Sequence, residues 1–250
     1  MFEPTSEGML FDAVSRSYRG GIGVNDLELQ IRPGEVHALV GMNGAGKSTL
    51  MKVLLGMLRP DAGTVRIGGQ DIRHAGPDLW SRVGALVETP LVYPEFTVTA
   101  SLLLSATLRR VASERRMRMV ADAIVEFRLD EFSANRARTL STGNRQRLGL
   151  ASALQHQPDF VVLDEPTSAL DPAGTLLLRD VLRRRAAAGA AILVSSHHLD
   201  EVARVADRIT VMNAGRLIGG LDPGGVELER AFFALVLDDD EHHHPTGALR

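Results

Sequence analysis

The chain has no cysteine among its 250 residues. Disulfides and cysteine-ligated zinc are therefore excluded, and the composition fits a reducing compartment. No apolar run approaches the ~20 residues that a membrane-spanning helix needs, so any membrane role must come through a partner. The N-terminal stretch Met1-Phe2-Glu3-Pro4-Thr5 has neither a basic segment nor an apolar core and does not read as a secretory signal. The expectation is a cytoplasmic protein. Excess positive charge is also missing. The formal net charge of −3 speaks against a general nucleic-acid binder, which is usually basic. The remainder is ordinary for a globular protein, 44% apolar and 24% charged, and long enough to bury a sizeable core as one large domain or two small ones.

Against this background one stretch stands out. Gly41-Met42-Asn43-Gly44-Ala45-Gly46-Lys47-Ser48-Thr49 matches the phosphate-loop pattern G-x-x-x-x-G-K-[S/T]. Gly41 and Gly46 allow tight turning and close approach of the backbone to an oxyanion. The amides of the loop and of the following helix form a nest for phosphate. Lys47 brings a positive charge to the β- and γ-phosphates, and the Ser48 hydroxyl suits Mg²⁺. The short apolar run Val36–Val40 reads as a buried strand before the loop. Leu50–Leu55 reads as a helix after it. A nucleoside triphosphate is the ligand this predicts.

Leu27, Leu29 and Ile31 alternate with Glu28, Gln30 and Arg32, a half-buried strand that ends at the turn Pro33-Gly34. Thr64–Ile67 and Val83–Val87 are further strand candidates. From about Thr97 to His156 the pattern turns helical, rich in Leu, Ala and Arg. Phe160–Leu163 and Ala191–Val194 then return as buried strands flanking a helix over Leu176–Ala188, a βαβ unit that implies a parallel sheet. Arg208–Met212 and Arg216–Ile218 read as a hairpin. From Asp238 the chain reads as a polar tail. His242-His243-His244 within it suits a metal, but its acidic, Pro/Gly-containing context favours a solvated segment.

Phe160-Val161-Val162-Leu163-Asp164-Glu165 delivers two carboxylates at the C-terminal end of a buried strand, where ligands of open α/β sheets bind. Asp164 is placed to reach Mg²⁺, directly or through water. Glu165 is placed to accept a proton from an attacking water. A solvent-facing acidic strand end is the alternative. His197 follows the next strand and is expected on the γ-phosphate side of the same crevice, orienting the water or donating to a phosphate oxygen. Taken alone, a His after a strand is more often incidental. His198 reads as helix-start surface.

The order of these motifs, from about Leu10 to Gly220, resembles the ATP-binding cassette (ABC) ATPases. Leu140-Ser141-Thr142-Gly143-Asn144-Arg145-Gln146-Arg147-Leu148 is similar to that family's signature motif. Ser141 suits a helix N-cap and Gly143 a backbone that faces phosphate. Ser168-Ala169-Leu170-Asp171 resembles the loop at the dimer interface. The resemblance also places Tyr18 against adenine, although singly a Tyr near a strand is more often core. It implies an α/β P-loop fold with an antiparallel β-subdomain and an inserted helical subdomain. The core would take 1–88 and 157–225 and the helical subdomain 89–156, with a short C-terminal helix and polar tail in 226–250. It further implies ATP hydrolysis with Mg²⁺. A second ABC ATPase subunit would supply Ser141 and Gly143 to the γ-phosphate, and an integral membrane permease would be energised. No nucleic-acid partner is expected.

Two departures stand against the family's pattern. Glu88 occupies the place of the usual Gln between core and helical subdomain, where the resemblance puts a metal-proximal ligand. With Tyr93-Pro94-Glu95-Phe96-Thr97-Val98 this resembles the subgroup exporting lantibiotics, bacitracin and similar peptides. A unit-charge pair at ~4 Å and an effective dielectric of about 20 is worth about 4 kcal/mol before desolvation, so the added charge is not silent. Thr142 and Asn144 replace the usual Gly and Gln of the signature, and Thr142 adds a β-branched side chain there. The leading reading is the ATPase subunit of an exporter. It would touch the permease through Ala100–Leu108 and Leu91-Val92-Tyr93, which read equally well as ordinary subdomain core. A soluble ABC ATPase acting on DNA or the ribosome, a non-hydrolysing regulatory module and an importer subunit are the competing readings. Against the last, only about 30 residues follow the hairpin, short for a regulatory domain.

Overall fold

The computed structural model describes residues 7–19, 21, 23–90 and 92–243. Its elements in chain order are β1 (Met9–Arg16), β2 (Val24–Ile31), β3 (Val36–Val40), α1 (Lys47–Leu54), β4 (Ala62–Ile67), β5 (Gln70–Asp71), α2 (Pro77–Ser81), β6 (Val83–Leu86), α3 (Val98–Leu108), α4 (Ser113–Glu126), α5 (Thr142–Leu154), β7 (Phe160–Leu163), α6 (Pro172–Ala187), β8 (Ala191–Ser196), α7 (Leu199–Ala203), β9 (Arg208–Asn213), β10 (Arg216–Leu221) and α8 (Leu228–His243).

Two sheets form. The first is antiparallel, in the order β2-β1-β4-β5. The alternation of Leu27, Leu29 and Ile31 with polar neighbours turns one face of β2 inward, as the period-2 pattern requires. The second sheet has the order β10-β9-β3-β8-β7-β6 and is parallel from β9 through β6, with β10 closing it as an antiparallel hairpin strand. Its central strands are buried on both faces, so they read as continuous apolar runs.

Successive residues of these strands serve two different cores. Ala38, Val161, Leu163, Ile192 and Val194 pack with α3–α6 and α8. Leu39, Phe160, Val162, Ala191 and Leu193 pack with α1 and the antiparallel sheet. The helical stretch between β6 and β7 thus lies on one face of the central sheet. Two of its helices, α3 and α5, begin where a side chain caps them, whereas α4 follows Ala112 and has no side-chain cap. Thr97 accepts from the Ala100 amide at 3.1 Å, and Ser141 from Asn144 at 3.2 Å.

Two differences from the sequence expectation have a clear physical cause. α6 starts at Pro172, ahead of Leu176, because Asp171 caps it by accepting the Gly174 amide at 2.9 Å and Pro172 occupies the first turn. The polar tail expected from Asp238 is instead the last part of α8, as far as His243. Asp239 is buried there and accepts from Arg216 Nη2 at 2.8 Å and Asn213 Nδ2 at 2.9 Å. Those bonds offset the burial of a carboxylate, and Phe232 and Val236 anchor the helix in the core. His242 and His243 sit on exposed turns of α8, while His244 lies outside the described residues. Among the described residues no group of three or more His, Asp or Glu is placed to hold a metal.

His156, just after α5, is half-buried and accepts from Arg109 Nε at 3.1 Å. Burial, then the Arg109 and Arg185 charges, push its pKa down to about 3, against the weaker pull of the Val83 carbonyl. The folded protein therefore refuses a proton that the unfolded chain accepts below 6.5. Stability should fall as pH drops from 6.5 toward 3. His156→Gln keeps an acceptor for Arg109 without a titrating group. Urea midpoints at pH 7 and pH 5 should differ less for this variant than for the wild type.

A candidate nucleotide site at three strand ends

β3, β8 and β7 lie side by side and end at one edge of the sheet, with Val40 level with Ser196 and Leu163 level with Val194. Residues 41–49 leave the first of these strands, Asp164 and Glu165 the third, and His197 the second. This edge is where open parallel sheets bind ligands. Asn43, Gly44, Ala45, Gly46, Lys47, Ser48 and Thr49 line a depression of about 380 Å³, with Glu165 on its opposite wall.

Two loop glycines are required by packing as well as by any ligand. A side chain on Gly41 would meet the Met212 carbonyl at 2.3 Å. Gly46 has φ of +109° and would drive a Cβ to within 2.9 Å of the Gly23 carbonyl. The loop is thus pressed against β9 and the start of β2. Met42 is exposed at the rim, and its carbonyl accepts the Ala45 amide at 3.1 Å. Lys47 is buried. Its ammonium donates to the Gly41 carbonyl at 2.7 Å and lies 3.7 Å from Glu165 Oε1. Burial lowers its pKa, while Glu165 and then Asp164 hold the charge in place.

Asp164 and Glu165 are bridged by a residue that the sequence did not single out. Ser195, fully buried on β8, donates from Oγ to Asp164 Oδ1 at 2.5 Å and accepts the Glu165 amide at 2.9 Å. Glu165 has φ of +46°, a left-handed conformation rare for its residue type, and this amide bond helps hold it. Its Oε2 lies 2.8 Å from His197 Nδ1 and also accepts the His197 amide at 3.3 Å. One carboxylate therefore joins Lys47 to His197 across the mouth of the depression. His198 is the exposed N-cap of α7, and its ring packs on that of His197 with centroids 3.9 Å apart.

Ser48 and Asp164 carry hard oxygen donors of the kind that a small cation such as Mg²⁺ takes. Glu88, with φ of +65°, faces away to an ion pair with Lys52 on α1. Tyr18 stands half-exposed at the rim, its hydroxyl 3.5 Å from Thr49 Oγ1. Ser141 and Gly143 do not line the depression. Ser141 caps α5 and Gly143 lies in its first turn, and this helix is tethered to the loop after Glu165. Gln146 Nε2 donates to the Pro166 carbonyl at 2.9 Å and Arg147 pairs with Asp171 at 2.6 Å. A side chain on Gly143 would come within 3.1 Å of the Ala169 carbonyl.

A phosphate loop after a central strand, faced by an acidic pair at the end of the next strand but one, defines a P-loop nucleoside triphosphatase. Residues 24–168 match the ABC transporter family, and the chain belongs to it: it is an ATP-binding protein with ATPase activity. It is 36% identical over 208 residues to Nod factor export ATP-binding protein I of Burkholderia orbicola, covering 83% of this chain and 68% of that one. It is 37% identical over 207 residues to the uncharacterized ABC transporter ATP-binding protein YhcH of Bacillus subtilis, covering 82% and 67%. A solved ATP-binding subunit of an ABC transporter superposes with a TM-score of 0.80 at 28% identity, over 92% of this chain and 96% of that one. The cbiO1 protein of Clostridium perfringens, part of a cbiONQ complex, shares the fold with a TM-score of 0.76 at 24% identity, over 96% of each chain.

Ser195→Ala would strip both acids of their shared partner, costing about 1–3 kcal/mol of stability for the unsatisfied groups. Because misplacement by about 1 Å can cost on the order of 10²-fold in rate, its ATP turnover should fall far more than its ATP affinity. Steady-state kinetics beside equilibrium nucleotide binding would show an equal loss in both if Ser195 were only structural.

Proposed function

We propose that this chain is the ATP-hydrolysing subunit of an exporter, working as an ATP-joined pair of cassettes against a separate membrane permease. The observation that carries the catalytic part is the Glu165 carboxylate, held 3.7 Å from Lys47 and 2.8 Å from His197 at the phosphate loop. Lys47 and the loop amides from Gly41 to Thr49 bind the β- and γ-phosphates. Tyr18 lies against adenine. Glu165 takes the proton of the attacking water, a contribution of typically ~10²–10⁴-fold. His197 fixes that carboxylate and faces the γ-phosphate. Ser48, Asp164 and Glu88 hold Mg²⁺, which neutralises phosphate charge when bound. For Glu88 this requires leaving Lys52.

Pairing follows from what one copy does not bring to its own loop. Ser141 and Gly143 stand apart from the depression lined by residues 43–49. A second cassette supplies them to the γ-phosphate, which then collects donors from both chains. Their tether to the loop after Glu165 would let closure of the pair reach the catalytic base.

Among the described residues no helix is long and apolar enough to cross a membrane, so transport needs a permease and the chain acts at the inner face of its membrane. A groove between β6 and the helical layer, lined by Val87, Pro90, Val92, Tyr93, Leu104 and Leu108, is the docking surface. Leu91, expected to join this contact, lies outside the described residues. Export is favoured by the similarity to the Nod factor export ATP-binding protein I of Burkholderia orbicola. A peptide antibiotic, drug or lipid-like substrate fits the Glu88 departure and the stretch that follows it.

Glu165→Gln should lower ATP turnover by at least about 100-fold while an ATP-bound dimer accumulates on size-exclusion chromatography. Retained turnover would remove Glu165 as the base. Glu88→Gln should bind ATP normally but shift the Mg²⁺ dependence of hydrolysis or its coupling to transport. Superimposable Mg²⁺ titrations and transport rates would sink that role.

A further inference from the structure

The docking groove holds about 510 Å³ between mostly apolar walls, with Tyr93 and Leu108 strongly exposed at its rim. One stripe breaks the apolar character. Ser101, Ser105 and Arg109 recur at i, i+4 and i+8 on one face of α3 and all line the groove. Ser101 is 6% exposed, and its hydroxyl has no hydrogen-bond partner among the described residues. Ser105 Oγ donates to the Ser152 carbonyl at 3.0 Å and accepts from Arg109 Nη1 at 3.0 Å. Arg109 Nε donates to His156.

None of these partners is an acid. Among the described residues no carboxylate lies within ion-pair distance of Arg109, whereas nearby Arg185 is paired with Glu126 at 2.7 Å. Burial alone lowers the Arg109 pKa, with no neighbouring negative charge to offset it. The adjoining imidazole cannot compensate either, being neutral. A desolvated cation without a counter-charge is unfavourable, and an uncharged apolar guest would desolvate it further. Arg109 Nη2 makes no hydrogen bond among the described residues, leaving half of a planar fork that matches a carboxylate.

We propose that Arg109 is a charge-selective anchor: the permease segment that enters this groove carries one aspartate or glutamate, flanked by apolar residues, that pairs with it. This rests on the transporter reading above. The carboxylate adds selectivity, because a permease loop with Lys or Arg at that point would be repelled. The unpaired Ser101 hydroxyl offers a second contact, to a main-chain carbonyl of the same segment.

The test is co-purification of the tagged chain with its permease from detergent-solubilised membranes, using wild type, Arg109→Lys, Arg109→Met and Arg109→Glu. ATP turnover of each isolated variant, expected at wild-type level, reports correct folding. Arg109→Lys should retain the permease. Arg109→Met should lose it in part, and Arg109→Glu at least about tenfold. One Asp or Glu of the permease's cytoplasmic loops, changed to Lys, should restore assembly with Arg109→Glu. Wild-type recovery by both Arg109→Met and Arg109→Glu, or a loss that no such single change reverses, overturns the anchor. If the wild-type chain hydrolyses ATP yet captures no permease, the transporter reading falls and the anchor with it.

Discussion

The lateral pairing of β3, β8 and β7 is the constraint on which the site rests. Three loops that are distant in sequence meet because these strands are neighbours and point the same way. Because the strands are parallel, the loops that leave their C-terminal ends all emerge at one edge. The phosphate loop, the acidic pair and His197 are then within one side chain's reach of each other. Ser195 converts that proximity into fixed geometry. It sits in the middle strand and bonds both acids of its neighbour. Burial makes the arrangement exacting, because any of these polar atoms left unpaired would be costly.

Most of the architecture was legible in the chain, for local reasons. Val36–Val40 and Phe160–Leu163 are apolar runs too short for helices, and each ends in residues with an evident task. The cap Ser141 acts within three residues, so the helix it starts can be read from sequence, whereas the equally local cap Asp171 reads as loop and the sequence pattern places the start of α6 too late. Other features were hidden because they depend on partners far along the chain. Ser195 looks like a small strand residue until β7 is placed beside it. The Lys52–Glu88 pair joins a helix to a loop through contacts that periodicity cannot reveal. Gly41 was readable as a phosphate-loop glycine, but its clash with the Met212 carbonyl on β9 was not. The last turns of α8 looked like solvated tail because their acids and histidines suggest it, yet Arg216 and Asn213 give Asp239 a buried place.

The signature stretch illustrates how a surface feature is wired to the interior. Ser141 and Gly143 are at the start of α5, and the same helix reaches the catalytic edge through Gln146 and Arg147. The arginine pairs with Asp171, which also caps α6. One carboxylate thus joins two helices and the loop after Glu165. A shift of α5 cannot leave that loop untouched, which is the physical requirement for any coupling between the helical layer and hydrolysis.

The double-faced strands also govern how this chain can change in length. In β8, Leu193 belongs to one core and Val194 to the other. Inserting or deleting a single residue there would exchange the contents of both cores and rotate Ser195 away from the acids. The central strands can accept substitution but not a change in count. Length variation is channelled to the connections between them, and the stretch joining β6 to β7, which carries the groove proposed to face a permease, is the longest of these. Divergence in insertions and deletions should therefore concentrate where a partner is chosen and stay away from where the nucleotide is handled.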